Sequence, residues 1–468
     1  MSAVSALAPK NVHSTREGVL ALIGNTPMLK VTRMDTGLCE LYLKLECQNP
    51  GGSIKDRIGL SMIEAAEAEG KLKAGGVLIE ATAGNTGLGL AQVALSKGYR
   101  MVLVIPDKMS REKIHHLRAM GVEIIMTRSD VGKGHPEYYH DLAASIAKKT
   151  PGSFLVNQFE NPANPAAHEH GTGPEIWEQM EHKLDAVVVG VGSGGTLGGL
   201  QRYFAKTDPN VEMVLADPEG SILAPYINTG IMGEAGSWLV EGIGEDFVPI
   251  HCDLSTVKHA YAISDKESLN TARELLEKEG ILGGSSTGTL LAAALRFCRE
   301  QKTPKRVVSF VCDSGNKYLS KMYNPYWMEE HGFTPRESHG DLRDVIARPY
   351  QSGSTVVVKP DDVLSVAYGR MKLHDVSQLP VMANDKLLGI IDESDILLAA
   401  MDQKQAFSLQ VKEVMSKNLQ TVDFKKPIDA LLPFFAKGMV VIVTEGERFL
   451  GLITQIDLLH YLRQRGSI

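Results

Sequence analysis

Cysteine is scarce in this chain: 468 residues carry five (Cys39, Cys47, Cys252, Cys298 and Cys312), none in a CxxC pair. That argues against a disulfide framework and leaves free thiols in a reducing compartment as the expectation, with no metal centre. Long apolar runs are missing too: no uncharged stretch reaches the roughly 18 residues that cross a bilayer. Met1 to Thr15 lack the basic start and apolar run of a signal peptide. A cytoplasmic protein without a membrane partner is expected. Blocks of like charge are also lacking. The 49 basic and 56 acidic residues are interspersed and give a net charge of -7, so no nucleic-acid partner is expected either. Work on small molecules, in two or three domains, is the reading left by length and composition.

From about Lys44 to Val311, short apolar runs alternate with amphipathic stretches: Val77 to Ile79, Leu88 to Leu95, Met101 to Ile105, Glu112 to Met120, Glu123 to Met126. Further strands are predicted at Ala186 to Val189, Val211 to Ala216 and Val307 to Val311. The pattern predicts an α/β fold, a parallel sheet with helices on both faces, whose ligands sit at the carboxyl ends of the strands. Between Met322 and Arg348 it dissolves into turn signals and charge, which places a domain boundary near Gly340. An internal repeat follows. Gly389-Ile-Ile-Asp-Glu-Ser-Asp395 matches Gly451-Leu-Ile-Thr-Gln-Ile-Asp457, with both glycines and both aspartates offset by the same interval. Each copy reads strand, helix, strand, strand, helix, in the first as Thr355 to Val358, Val363 to Met371, Leu379 to Met382, Leu387 to Ile391 and Ser394 to Met401. A single copy buries little surface, so the two are expected to pair. The expected domains are 1-330, a linker 331-348, and the repeats 349-403 and 409-468.

Four loops carry candidate chemistry. Asn49-Pro-Gly-Gly-Ser-Ile-Lys55-Asp-Arg57 leads into a helix predicted over Ile58 to Glu69 with Ser53 as N-cap. Lys55 is either a solvated surface lysine or, set at the positive end of a helix dipole and buried, a neutral nucleophilic amine. Thr82-Ala83-Gly84-Asn85-Thr86 lies between strand and helix and is either an ordinary turn or an amide cradle for a carboxylate. Gly192-Ser193-Gly194-Gly195-Thr196 follows an apolar strand and offers amides and two hydroxyls. A compact phosphate suits it better than a dinucleotide, because the next strand ends in Ala216-Asp217-Pro218 and neither the spacing nor a preceding acidic partner favours a nicotinamide cofactor. Gly283-Gly-Ser285 opens another helix, its hydroxyl either a cap or a partner for a buried ring nitrogen. Gln158 and Glu245 sit in further loops within reach of a ligand.

In this order, Ile23-Gly-Asn-Thr-Pro-Met28, Ser53-Ile-Lys55-Asp-Arg57, Thr82-Ala-Gly-Asn-Thr86 and Gly192-Ser-Gly-Gly-Thr196 resemble the motifs of the fold-type II pyridoxal-phosphate family of cysteine synthases and cystathionine β-synthases. The resemblance covers about Glu17 to Trp327. It implies two subdomains of open twisted sheets with flanking helices, pyridoxal 5'-phosphate as cofactor, and Lys55 as its Schiff-base tether and catalytic base. It further implies Asn85 at the ring hydroxyl, Gly192 to Thr196 on the phosphate and Ser285 at the ring nitrogen, a neutral partner that favours β-elimination over longer-lived carbanion chemistry. Thr82, Ala83, Gly84, Thr86 and Gln158 would hold the substrate carboxylate. The repeated tail resembles a tandem pair of CBS domains, an arrangement that within the family is typical of the cystathionine β-synthase branch.

The implied reaction is condensation of serine with homocysteine, with hydrogen sulfide released from cysteine as a side activity, and the Gly242 to Phe247 loop with Glu245 facing the homocysteine amino group. Cysteine synthase chemistry on O-acetylserine or O-phosphoserine is the alternative, and an adenosyl-sensing protein with an inactive core is one of another class. Ala83 stands where relatives often have serine, Phe159 where tyrosine is common, and Glu245 where animal enzymes have tyrosine. The haem-binding extension of the animal enzymes has no counterpart: about 15 residues precede the core, with His13 the lone candidate, so no haem is expected. In the tail, Thr454 with Asp457, and in part Ser394 with Asp395, match residues that hold an adenosine ribose in such pairs, the alternative being helix caps. A homodimer or homotetramer is implied.

Overall fold

The computed structural model describes residues 17–82, 84–107, 111–131, 134–335 and 337–464, so His13 and Ala83 lie outside the described residues. The chain divides into two compact units, Met1–Tyr323 and Asn324–Ile468.

The first unit contains two sheets. Strands β1 (Met28–Lys30), β2 (Glu40–Lys44), β7 (Ala186–Gly190), β8 (Glu212–Pro218), β9 (His259–Ile263) and β10 (Arg306–Phe310) form the larger, in the order β1-β2-β10-β7-β8-β9. Strands β3 (Val77–Ala81), β4 (Arg100–Pro106), β5 (Glu123–Thr127) and β6 (Ser153–Leu155) form the smaller, in the order β5-β4-β3-β6. Every pairing is parallel except β1 on β2. The α/β expectation holds, with strand ends within about two residues of those read from the apolar runs. The central strands are buried along most of their length, β3 entirely; that is why they read as unbroken Val-Leu-Ile runs without alternation.

The helix carrying Lys55 spans Lys55–Ala68 and so starts three residues earlier than predicted. Ile54 is its N-cap, and no side chain caps it. Ser53 instead pairs by a backbone bridge with Asp313, and its Oγ accepts the Lys55 amide at 3.3 Å. The bridge pins the chain beside the end of β10, and the helix begins directly after it.

A buried charge cluster lies beneath this turn. Arg57 donates through Nε and Nη2 to the two oxygens of Glu46 at 2.7 and 2.8 Å, and through Nη1 and Nη2 to Glu175 at 2.7 Å each. Lys44 donates to Glu175 and to the Thr26 carbonyl at 2.7 and 2.8 Å. Asn25 N–H reaches Glu175, and Gly24 N–H reaches Asn49 Oδ1, each at 2.8 Å. Two segments that the sequence marks separately, around Asn25 and around Lys55, are thus one assembly.

In the second unit each repeat carries a hairpin and a closing helix: β11 (Gln378–Ala383), β12 (Lys386–Asp392) and Glu393–Asp402 in the first, and β14 (Val441–Glu445), β15 (Arg448–Ile453) and Gln455–Gln464 in the second. Gly389 and Gly451 both lie in the second hairpin strand. The leading strand of the second repeat is β13 (Thr421–Asp423), parallel to β14. Thr355 to Val358, the strand expected in the first repeat, contributes only a bridge from Val358 to Val381. Leu342, Val345 and Ile346, within the segment expected as a connector, are buried in the core of the second repeat with Val422 and Val441.

Removing Arg57 while Glu46 stays buried leaves an uncompensated charge, so Arg57→Ala is expected to cost about 3–5 kcal/mol in urea unfolding. Lys30→Ala, at the exposed Lys30–Glu40 pair, is expected to leave the midpoint unchanged.

Candidate active site

One cavity is lined by residues from segments far apart in the chain, among them Lys55, Asn85, Gly192 to Thr196, Gly242, Ser286 and Cys312. The loops follow β3, β7 and β10, at the carboxyl ends of parallel strands, where backbone amides converge. Burial lowers the Lys55 amine below the usual lysine range, with Cys312, Asp313 and Glu245 opposing in part. Placement as the first residue of a helix acts in the same direction as burial. The amine is thereby biased toward its neutral, nucleophilic form.

Opposite it, Gly194 at φ 81° precedes the helix Gly195–Thr207. A Cβ on Gly195 would fall 1.9 Å from Asn164 Oδ1, so only glycine lets the chain run this close. Asn164 donates to Ser193 Oγ at 2.9 Å and to the Gln158 carbonyl at 2.8 Å. The Thr196 hydroxyl meets His168 Nε2 at 3.3 Å, and His168 Nδ1 meets Thr172 Oγ1 at 3.0 Å. Burial first, then the charges of Lys55 and Arg57, hold the His168 pKa well below its ordinary value. A neutral imidazole between two hydroxyls fixes their orientation without adding charge. Amides at a helix start, two oriented hydroxyls and Lys55 across the cavity fit a phosphate-bearing aldehyde such as pyridoxal phosphate.

Asn85 opens the helix Asn85–Lys97. Its carboxamide donates to Asp313 Oδ2 and accepts from Lys317 Nζ, both at 2.8 Å. Ser285 is buried; its Oγ accepts the Glu241 amide at 3.0 Å and lies against the Tyr318 hydroxyl. The serine on the cavity wall is the next one, Ser286, beside Cys312. Thr82, Thr86 and Gln158 are buried, Thr86 Oγ1 donating to Gln158 Oε1 at 2.7 Å and Thr82 Oγ1 accepting Gly84 N–H at 3.2 Å. The Gly242 carbonyl would be 2.7 Å from a Cβ on Gly192 and the Glu245 carboxylate 3.9 Å, so the 242–245 loop passes over the Gly192 to Thr196 loop. Burial and the nearby carboxylates of Asp246 and Asp217 push Glu245 up to about 8, against Lys55. Phe159 packs on Phe247 with ring centroids 5.8 Å apart, joining the Gln158 loop to the Glu245 loop.

Asn164, His168, Ser286, Cys312, Asp313 and Lys317 are absent from the sequence-based candidates. One signal was available: Cys312-Asp-Ser-Gly-Asn-Lys317 directly follows the last strand of the sheet, where a ligand-facing loop belongs.

In the tail, Thr454 and Asp457 line a cavity of about 340 Å3 together with Arg348, Thr355, Asp375 and Gln378. Thr454 donates through N–H and Oγ1 to Asp457 Oδ2 at 2.7 and 2.6 Å. Ser394 is exposed, and Asp395 closes a capping box with Asp392. Thr454 and Asp457 are thus brought to a cavity that Ser394 and Asp395 do not line.

The pyridoxal-phosphate dependent enzyme family model matches residues 19–313, and the CBS domain model matches 342–402 and 411–464. Cystathionine beta-synthase of Apis mellifera is 34% identical over 461 residues, covering 96% of this chain and 91% of that one. The chain belongs to the cystathionine β-synthase family of pyridoxal-phosphate dependent enzymes. The Dictyostelium discoideum relative of that name is 35% identical, with 95% and 92% covered. Among solved structures, a hydrogen sulfide-producing enzyme of Fusobacterium nucleatum matches with TM-score 0.61 at 38% identity, over 65% of this chain and all of that one. O-ureido-L-serine synthase matches with TM-score 0.62 at 31% identity, over 70% and 98%. Membership carries pyridoxal phosphate as the cofactor. Among the described residues no helix is long and apolar enough to cross a membrane.

Two buried carboxyls set a pH dependence of stability. Burial also pushes Glu80 up to about 8, and its Oε2 has no hydrogen-bond partner. Glu80 and Glu245 therefore bind protons more tightly folded than unfolded, so stability falls as pH rises from the ordinary glutamate range through about 8. Urea midpoints are expected to drop across that window in the wild type, and less in Glu80→Gln.

Proposed function

We propose that the first unit replaces the β-hydroxyl of L-serine with the thiol of L-homocysteine, giving L-cystathionine and water, and that it releases hydrogen sulfide when cysteine takes the place of serine. The observation that carries this reading is the Lys55 amine, lowered in pKa and set across one cavity from the Gly192 to Thr196 cradle. When bound, pyridoxal phosphate supplies an electron sink for the substrate Cα. Lys55 tethers it, and the freed amine then takes the Cα proton and later returns it. Gly192, Ser193, Gly194, Gly195 and Thr196 hold the phosphate. Asn85 donates to the ring oxygen, and Ser285, or Ser286 beside it, meets the ring nitrogen.

The amides and hydroxyls of Thr82, Gly84 and Thr86, with Gln158 and by sequence position Ala83, orient the serine carboxylate so that the Cα proton faces Lys55. Gly242 and Glu245 receive the second substrate, a carboxylate there pairing with the homocysteine amino group. Hydroxide leaves with a proton, and the thiolate adds at the vacated carbon. Cysteine synthesis from O-acetylserine or O-phosphoserine and sulfide is the second reading. It is favoured by the likeness to O-ureido-L-serine synthase, whose name points to an O-substituted serine, while the likeness to a hydrogen sulfide-producing enzyme accords with the sulfide release of the first reading. An inactive, purely sensing core is disfavoured by the presence of Lys55. In the tail, Thr454 and Asp457 are proposed to hold the ribose of an adenosyl ligand. The assembly is proposed to be a homodimer or homotetramer, and the location cytoplasmic.

Product rates from serine plus homocysteine and from O-acetylserine plus sulfide decide between the two readings. Faster cysteine formation from the second pair would overturn the first. Lys55→Ala is expected to lose at least about 100-fold in rate, and Glu245→Gln to raise the KM for homocysteine about tenfold with little change for serine. Calorimetric titration with S-adenosylmethionine is expected to show heat that Asp457→Ala abolishes; no heat in the wild type removes the tail ligand.

A further inference from the structure

Asn85 is held by two neighbours of opposite character. Lys317 Nζ can only donate and the Asp313 carboxylate can only accept. The observed bonds, Lys317 Nζ to Asn85 Oδ1 and Asn85 Nδ2 to Asp313 Oδ2, each 2.8 Å, therefore permit one orientation of the carboxamide and forbid its 180° flip. Both neighbours are themselves fixed. Asp313 is fully buried and accepts the Tyr318 hydroxyl at 2.8 Å, while Lys317 also donates to the Gly51 and Gly52 carbonyls at 3.2 Å. A Cβ on Gly284 would fall 1.9 Å from Asp313 Oδ1, so the glycine before Ser285 is the space the carboxylate occupies. One Nδ2 hydrogen serves Asp313, and the other is left for the cavity that Asn85 lines.

We infer that Asp313 and Lys317 are positioning residues that lock Asn85 as a hydrogen-bond donor toward the ring oxygen of the bound cofactor. The inference rests on the reading of Asn85 as a cofactor contact. Freed to flip, the carboxamide would turn its carbonyl toward that oxygen and repel it when it is anionic. Lys317 meanwhile ties the turn before Lys55 to Asn85, so one ammonium sets the relative position of cofactor tether and ring contact.

The test is spectroscopic. A donor to the ring oxygen favours the form of the loaded cofactor in which that oxygen is anionic, absorbing in the visible, over the neutral-hydroxyl form, absorbing in the near ultraviolet. In the loaded full-length enzyme, Lys317→Met is expected to move the ratio of the two bands toward the ultraviolet by about tenfold, the equivalent of one hydrogen bond. Asn85→Ala should do the same, and the double variant should shift no further than Asn85→Ala alone. A wild-type spectrum in Lys317→Met beside a shifted Asn85→Ala would overturn the inference and leave the Asn85 reading standing; so would additive shifts in the double variant. An unshifted Asn85→Ala would remove the Asn85 reading, and the inference with it. Asp313→Asn, which keeps the side-chain shape, is scored by the same criteria and decides the matter should Lys317→Met fail to fold.

Discussion

Arg57 between Glu46 and Glu175 is the interaction on which the placement of the site depends. Its guanidinium satisfies two carboxylates in bidentate fashion, a geometry lysine cannot supply. Burying such charges gives no large net stabilisation, because desolvation offsets most of the attraction. What the cluster supplies is position. Glu46 follows β2, Glu175 lies in the helix Gly173–Gln179, and Arg57 is two residues beyond Lys55, so Lys55 is held relative to the large sheet through a joint with little freedom to slide.

From that joint the electrostatics of the cavity follow. Lys55 shares its cavity with hydroxyls, backbone amides and Cys312, while Lys317 and Lys113 are each engaged, by carbonyls and Asn85 Oδ1 in one case and by Glu241 in the other. No carboxylate forms an ion pair with Lys55 among the described residues. Burial thus disfavours its charged form, with Cys312, Asp313 and Glu245 opposing in part. Glu245, raised in pKa by burial and by Asp246 and Asp217, is the complementary case: an acid whose charged form needs a cation, as an incoming amino group would provide.

Six strands of the first unit, β3, β4, β5, β7, β8 and β10, the Lys55 turn and the Gly192 to Thr196 loop were legible in the sequence because each is local, a run of residues whose spacing already implies its geometry, whereas β2, β6 and β9 were not read. Asn164, His168, Asp313 and Lys317 were not. Their partners lie from 4 to 266 positions away, and nothing in the surrounding pattern distinguishes them from ordinary polar residues. Ser285 and Ser286 illustrate a finer limit. Which of two adjacent serines at a helix start faces a cavity depends on the entry angle of the chain, here set by Asp313 in the space beside Gly284. The three-residue strand β1 escaped notice because it is too short for alternation to register.

The two repeats share a glycine and an aspartate at matched positions but differ at the cap of the closing helix. In each, the residue before the closing helix and the aspartate three positions later bond reciprocally, Asp392 with Asp395 and Thr454 with Asp457. The difference is one side chain. In the first repeat two carboxylates share the cap, and burial raises the Asp395 pKa, with the Asp392 amide opposing and the Asp392 carboxylate adding to the rise. Adding a ligand hydroxyl there would require it to compete with two anions already crowding the same amides. In the second, a neutral hydroxyl donates to Asp457 and leaves a single carboxylate in the cap, at the edge of a cavity that Arg348 and Asp375 also line. On the proposed adenosyl reading, the Asp457 carboxylate is open to a ligand hydroxyl at a cavity that Arg348 and Asp375 also line, whereas the cap of the first repeat, Asp392 with Asp395, lines no part of that cavity.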